Sequence, residues 1–337
     1  KITSTVPLPV NASNIAMMYY ASSLTGDVEF SGSKLQDVRL SVADTDITGY
    51  TLHITGDQTV YFTPKEEYVR QSSTAISTEN TGMFKGCDWL SRVDITIPNI
   101  KDGVLGWMEN KNIEYFYFDI QNITELNYTF TKWNKLKEVS DIPDGVVSMI
   151  GTFKDSALTT FPTIPGSVRN MSFCFQGTNI TQIPSNVLNE GVENMTGTFR
   201  DCVLLERVDH IPDSVTNLQQ AFEYCVKLQS VCDLPQNCTN LDGTFVYCYE
   251  LETVGRLPEQ ISALNDTFYD CKNLKTVGPE ANTVTMPDSV KTIARAFQSS
   301  GITTIGKWSE NLTTLNGSGK ILDISDEYVP SKDRKDK

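Results

Sequence analysis

Histidine is almost missing from this sequence: His53 and His210 are the two present in 337 residues, and they lie far apart. A His-based metal site or a nucleophile–His pair is hard to build from so little. Basic residues are also in deficit, with 28 Lys+Arg against 42 Asp+Glu and a net charge of −14. Phosphate contacts need a basic face, so this balance argues against nucleic acid and anionic lipid as partners. No apolar run approaches the roughly eighteen residues of a membrane helix, and no membrane insertion is expected. Eight Cys are too few for a disulfide-dense scaffold at this length. A Gly-rich phosphate loop, a nucleophile elbow and an acidic calcium repeat are all missing. The acidic residues are scattered without a repeating pair and read as a solvated face. With no convergent acid, base or nucleophile, the sequence predicts neither an enzyme nor a cofactor.

What is present is a chain 39% hydrophobic and 21% charged, enough to bury a core and too apolar for disorder. It opens Lys1-Ile2-Thr3, without an initiator Met, and so reads as a mature or trimmed fragment. It closes on the charge run Asp333–Lys337, read as a solvated end.

A recurring aromatic reveals an internal repeat. Phe199, Phe222, Phe245 and Phe268 are each 23 residues apart, as are Phe130 and Phe153. Phe175 sits between Phe153 and Phe199 at spacings of 22 and 24. Phe84 and Trp107 extend the register upstream, and Phe297 follows Phe268 by 29, a six-residue insertion. This gives ten units. Ten residues before the aromatic recurs Pro143, Pro165, Pro212, Pro235, Pro258 or Pro287, each preceded by Ile, Leu or Met. Seven before it lies Val146, Val168, Val192, Val215, Cys238, Ile261 or Val290. Near four before it lies Leu126, Ile150, Met171, Met195, Leu218, Leu241, Leu264 or Ile293. Cys87, Cys202, Cys225, Cys248 and Cys271 follow the aromatic by three. A Leu or Ile column comes next, then an inward column of Val93, Phe116, Val139, Phe161, Val208, Val231, Val254 and Val277. One unit is irregular: Leu188-Asn189 takes the Ile-Pro columns, which predicts a bulge near 184–190.

Six apolar columns in a period of 23 predict one coil of a solenoid, whose apolar face can be buried only by stacked neighbours. One short parallel strand per coil is expected, with an irregular or short helical turn around the aromatic. Pro should stand outside the strand ladder.

Segments such as Ile211-Pro212-Asp213-Ser214-Val215-Thr216-Asn217-Leu218, followed by Ala221-Phe222, Cys225 and Leu228, resemble the BspA-type leucine-rich repeat over about residues 80–315. The resemblance implies a leucine-rich repeat solenoid, a horseshoe or arc with a parallel sheet on its concave face. It also implies an exported, cell-surface protein of host-associated anaerobic bacteria that acts as an adhesin or binding scaffold. Two departures stand out. The stretch Leu228–Pro235 is one residue longer than the usual pattern, and the Ala before Phe is mostly Thr, as in Thr152, Thr198, Thr244 and Thr267. Residues 1–80 read as a β-rich N-terminal cap with strands near 28–30, 38–42 and 60–62, or as degenerate coils. Residues 81–315 form the solenoid; residues 316–337 form a cap strand near Ile321–Ile324 and a charged tail.

The Cys column is read as buried packing rather than metal or redox chemistry, because no tight second pair of ligands accompanies Cys232 and Cys238. Ten Asn-x-Ser/Thr sequons are read chiefly as by-products of the repeat. Chemistry, if any, belongs to the strand face, where neighbours of the inward column point out. Arg92, Asp94, Tyr115, Tyr117, Glu138 and Ser140 give its early rungs charge and aromatic area, with Arg207 and Asp209 as a lesser patch. Two other arrangements stay open: Tyr115 and Tyr117 packed under the cap, or a strand shifted by one residue with Phe116 exposed. A non-enzymatic scaffold that binds a protein partner is the reading that results. A carbohydrate-binding protein, with sugars on Tyr115 and Tyr117, and a phage or surface-assembly spacer are the alternatives.

Overall fold

The computed structural model describes residues 4–5, 25–32, 46–54, 59–60, 87–97, 99–100, 112–120 and 122–315. Phe84, Trp107, Gly319, the expected strand at 38–42 and residues 316–337 lie outside them. The chain divides into two compact units, Lys1–Val168 and Arg169–Lys337. Both are built as parallel β-solenoids of the leucine-rich repeat type, with no helix among the described residues. Around each aromatic the chain makes a run of turns.

In the first unit β1 (Ser4–Thr5), β2 (Thr25–Gly32), β3 (Asp46–Ile54), β5 (Arg92–Ile97), β7 (Tyr115–Ile120) and β8 (Glu138–Val139) form one parallel sheet in that order. A separate parallel pair joins β4 (Thr59–Val60) to β6 (Asn99–Ile100). The strands within residues 1–60 thus pair in parallel, as coil strands do. In the second unit β9 (Gln182–Ile183), β10 (Arg207–Val208), β11 (Ser230–Val231), β12 (Thr253–Val254), β13 (Thr276–Val277), β14 (Val284–Thr285) and β15 (Ile305–Lys307) follow one another in a seven-stranded parallel sheet.

The coil after Phe153 carries no strand, and its chemistry explains why. On the strand face the residue after the inward column donates its N–H to the preceding coil. Ser140 reaches the Phe116 carbonyl at 3.1 Å, and Asp209 that of Ile183 at 3.0 Å. Pro162 holds this position and has no N–H to give; neither has Pro184 in the next coil. Pro162 is moreover buried and Phe161 only half-buried, so the expected inward Phe161 and outward Pro162 are exchanged there. A second correction concerns the column four before the aromatic. Met149, fully buried, fills it, and Ile150 is its half-buried neighbour.

The core is a set of columns. In the first unit Phe130 and Phe153 stack 5.3 Å apart and 7° from parallel; in the second, Phe175, Phe199, Phe222, Phe245, Phe268 and Phe297 form a stack at 5.4–5.7 Å and 4–11°. Offset parallel packing suits the ring quadrupoles and buries each ring completely. Leu188 is buried in the Ile column, so the irregular unit keeps its core contact across a turn at 185–187. The six-residue insertion becomes β14, an extra rung between β13 and β15, while Phe268 and Phe297 remain stacked at 5.4 Å.

The turn face has its own ladder. Met195, Gly197, Phe199 and Asp201 donate backbone N–H groups to the carbonyls of Asn217, Gln219, Ala221 and Glu223 in the next coil, at 2.8–3.0 Å. Two left-handed residues per coil make this possible, at two before and two after the aromatic, as in Phe173 (φ 57°) and Asp201 (φ 60°). Thr152, Thr198 and Thr244 direct hydroxyls to the carbonyls of Leu126, Met171 and Leu218, each at 2.9 Å. That bond accounts for Thr where the usual pattern has Ala: it ties adjacent coils through a buried donor.

The left-handed column before the aromatic alternates in size. Tyr128 is followed by Gly151, Phe173 by Gly197 and Gln220 by Gly243. A Cβ on Gly197 would run into the Phe173 ring, and one on Gly151 into the Tyr128 ring. At Gly243 the nearest atom, Gln220 Cγ, is 3.5 Å away, ordinary contact. Gly166 has ordinary φ and nothing within 4 Å. Urea midpoints should therefore rank three substitutions. Gly166→Ala should be near neutral, Gly243→Ala should cost about 1 kcal/mol for its left-handed backbone, and Gly197→Ala should cost about 2–4 kcal/mol because overpacking is added.

Candidate functional site

On the strand face of the first unit the sheet register sets Gly49, Arg92, Tyr115 and Glu138 in one row. Thr51, Asp94 and Tyr117 form the next row. Phe116 is fully buried, and Tyr115 and Tyr117 stand half-buried on the opposite face of the strand, so the shifted register does not occur. Side chains bridge the rows diagonally. The Arg92 guanidinium lies 4.6 Å from the Tyr117 ring centroid, and the Tyr117 hydroxyl donates to Glu138 Oε1 at 3.1 Å. Partial burial and that bond hold the Tyr117 phenol above its ordinary pKa. Lys137 pairs with Glu114 at 2.7 Å and approaches the Tyr115 ring at 5.8 Å. Arg92, Tyr117 and Glu138 are thus one connected cation–aromatic–anion group on three successive strands of the sheet.

Ser140, half-buried, turns to the backbone of β7. Its hydroxyl donates to the Phe118 carbonyl at 3.1 Å and accepts from the Phe118 N–H at 3.0 Å, completing the edge of β7. Beside it, next to the strandless coil, opens a cleft of about 530 Å³ edged by Asp119, Asp141 and Asp144. In the second unit Arg207 and Asp209 do come together, but with each other: Arg207 Nε reaches Asp209 Oδ1 at 2.7 Å. Of the other outward positions there, Ser230, Thr253, Gly255, Thr276 and Gly278 are small, and Gln182 and Lys307 are exposed. His210 faces Glu190 at 3.0 Å and His53 is exposed. Among the described residues no group of three or more His, Cys, Asp or Glu is arranged to hold a metal ion, and no helix is long and apolar enough to cross a membrane.

The Cys column is a ladder of reduced, buried thiols. Cys202, Cys225, Cys248 and Cys271 each donate to the aromatic carbonyl of the preceding coil, Phe175, Phe199, Phe222 and Phe245, at 3.0–3.1 Å. Several sequon asparagines are also engaged. The Asn170 side-chain oxygen accepts from the Ser172 N–H and hydroxyl at 3.0 and 2.7 Å, and Asn194 does the same with Thr196. Asn-x-Ser/Thr is here a local turn that positions the next rung.

One aromatic group was not singled out by the repeat columns. Tyr224, Tyr247 and Tyr269 cluster on the turn face of the second unit, with ring centroids 4.5 and 5.6 Å apart. The 23-residue spacing of Tyr224 and Tyr247 was its available signal.

The family model described as BspA type leucine rich repeat region matches residues 71–181 and 168–300, in six copies. No curated protein matches the chain. Among solved structures it is similar to a leucine-rich repeat protein from Eubacterium ventriosum, at 14% identity over 86% of each chain with a TM-score of 0.41. A leucine-rich repeat protein from Bacteroides ovatus is 15% identical over 84% of this chain and 80% of that one, TM-score 0.37. A leucine rich cell surface protein from Faecalibacterium prausnitzii is 15% identical over 79% and 82%, TM-score 0.33.

Burial pushes the thiols up, to about 11 at Cys202 and well above the ordinary value at Cys225 and Cys271. The thiolate is the reactive form. In native buffer at pH 8, a thiol reagent such as dithionitrobenzoate should leave the ladder unmodified for hours, and in 6 M guanidinium it should label at once. A raised folded-state pKa stabilises below the unfolded value near 9 and is lost as pH climbs through 11. The melting temperature should therefore fall between pH 8.5 and 11; rapid native labelling with a flat melting profile would contradict the ladder.

Proposed function

From a chain that belongs to the BspA-type leucine-rich repeat family, we infer an extracellular or cell-surface scaffold that recognises a protein partner through the strand face of its first unit. Repeat scaffolds of this kind typically mediate binding and are generally non-enzymatic. The reading rests on one observation: Arg92, Tyr117 and Glu138 form a connected cation–aromatic–anion group on the strand face of the first unit. Arg and Tyr dominate binding hot spots because they bring large area, a polar end and little rotamer loss when already held. Asp94 and Tyr115 would extend the contact; Ser140 would support it from behind. Arg207 and Asp209, neutralising each other, would form a separate, lesser patch on the second unit. Adhesion to a host or matrix protein is the form of binding proposed.

Carbohydrate recognition on Tyr115 and Tyr117 is the weaker reading, because the protein's own Arg92 and Lys137 already approach those rings. Surface plasmon resonance against immobilised matrix and host-surface proteins tests the proposal. A bound partner should lose at least about tenfold in affinity, roughly 1.4 kcal/mol, on Arg92→Glu or Tyr117→Ala, whereas Thr253→Ala leaves it unchanged. Saturable binding on a glycan array that Tyr117→Ala abolishes would replace the protein partner by a sugar. Indifference of every interaction to Arg92→Glu would make the array a spacer.

A further inference from the structure

The tyrosine cluster of the second unit borders a cavity of about 370 Å³ on the turn face, lined among others by Glu223, Asp242, Asp266, Tyr247, Tyr269 and Arg295. Its charges do not cancel. Arg295 is committed to Asp266, Nη2 to Oδ2 at 2.7 Å, and Arg200 to Glu223, so the Asp242 carboxylate is in excess. Glu223 is 8% exposed, with Oε1 3.4 Å from Arg200 Nη2 and Oε2 buried without any hydrogen-bond partner. A buried carboxylate oxygen left unpaired is costly, and a positively charged donor would relieve it most. Burial pushes the Glu223 carboxyl above its ordinary pKa, with Arg200 only partly offsetting it. The neighbouring rings already serve as platforms for positive charge: Lys272 lies 4.5 Å from the Tyr249 centroid and Arg295 6.0 Å from that of Tyr269.

We propose that this cavity is a binding site for an organic cation, a ligand bearing a guanidinium or alkylammonium group, seated between the carboxylates of Glu223 and Asp242 and the faces of Tyr247 and Tyr269. Carboxylates supply charge and acceptors, and tyrosine faces supply cation–π attraction in a partly desolvated setting. The net charge of −14 raises the local concentration of such ligands. The site lies wholly within the second unit and is independent of the proposed protein-binding face.

The probe is L-argininamide, titrated by isothermal calorimetry into the whole chain, with cellotetraose as a neutral sugar comparator. Saturable binding of argininamide, weakened several-fold between 20 and 300 mM NaCl, is expected. Asp242→Asn and Tyr247→Leu should each lower affinity about tenfold, and Glu252→Gln, an exposed carboxylate paired elsewhere with Lys275, should leave it intact. Glu223→Gln should also abolish binding; because Glu223 is buried, that variant is read only with a native circular dichroism spectrum and melt. Failure of argininamide to bind saturably, indifference to both Asp242→Asn and Tyr247→Leu, or salt-independent preference for cellotetraose would each overturn the proposal.

Discussion

Because every strand pairing described is parallel and no helix among the described residues closes bonds locally, each coil depends on its neighbours for many of its backbone hydrogen bonds. Two ladders meet that need from opposite sides. The strand face sends donors back to the preceding coil, as from Asp209 to Ile183, and the turn face sends them forward, as from Phe199 to Ala221. The stacked phenylalanines sit between the ladders, so their spacing of about 5.5 Å is set jointly by ring contact and by backbone pairing. Left-handed residues such as Phe173 and Asp201 would be unfavourable alone; the stack holds them because nothing else satisfies both ladders.

The same dependence explains the polar columns inside the core. Thr198 and Cys225 are small side chains facing carbonyls of the preceding coil, Met171 and Phe199, and each carries one donor of suitable reach. A purely apolar column would pack as well and leave those carbonyls with one partner fewer. Cysteine here is a structural hydrogen-bond donor, which is why its recurrence is regular and its chemistry is suppressed.

The sequence made the aromatic register, the inward Val column and the Cys column legible because each is set by burial at a fixed period, and burial is what composition reports. Strand alternation left two registers for Tyr115, Phe116 and Tyr117, and burial of Phe116 selects one of them. Pro162 was misplaced because a 23-residue alignment fixes sequence columns, while the backbone between them can turn by one residue where a donor is missing; Met149, 23 residues after Leu126 and four before Phe153, keeps the strict period, and Ile150 does not. The insertion was visible, yet its conversion into β14 was not, since an added rung depends on which sheet edge the loop meets. The turn-face tyrosine cluster was not legible, because Tyr224 and Tyr247 gain their proximity from left-handed backbone that no hydrophobic pattern signals. Pairing of Arg207 with Asp209, two residues apart, was equally invisible to a reading that treated each as an available charge.

A ring meets a glycine once in each unit, Tyr128 with Gly151 and Phe173 with Gly197, where an added Cβ would strike the ring. Each such pair of coils is therefore a fitted module: a Phe173 coil repeated beside itself would set a second ring where the glycine now leaves room.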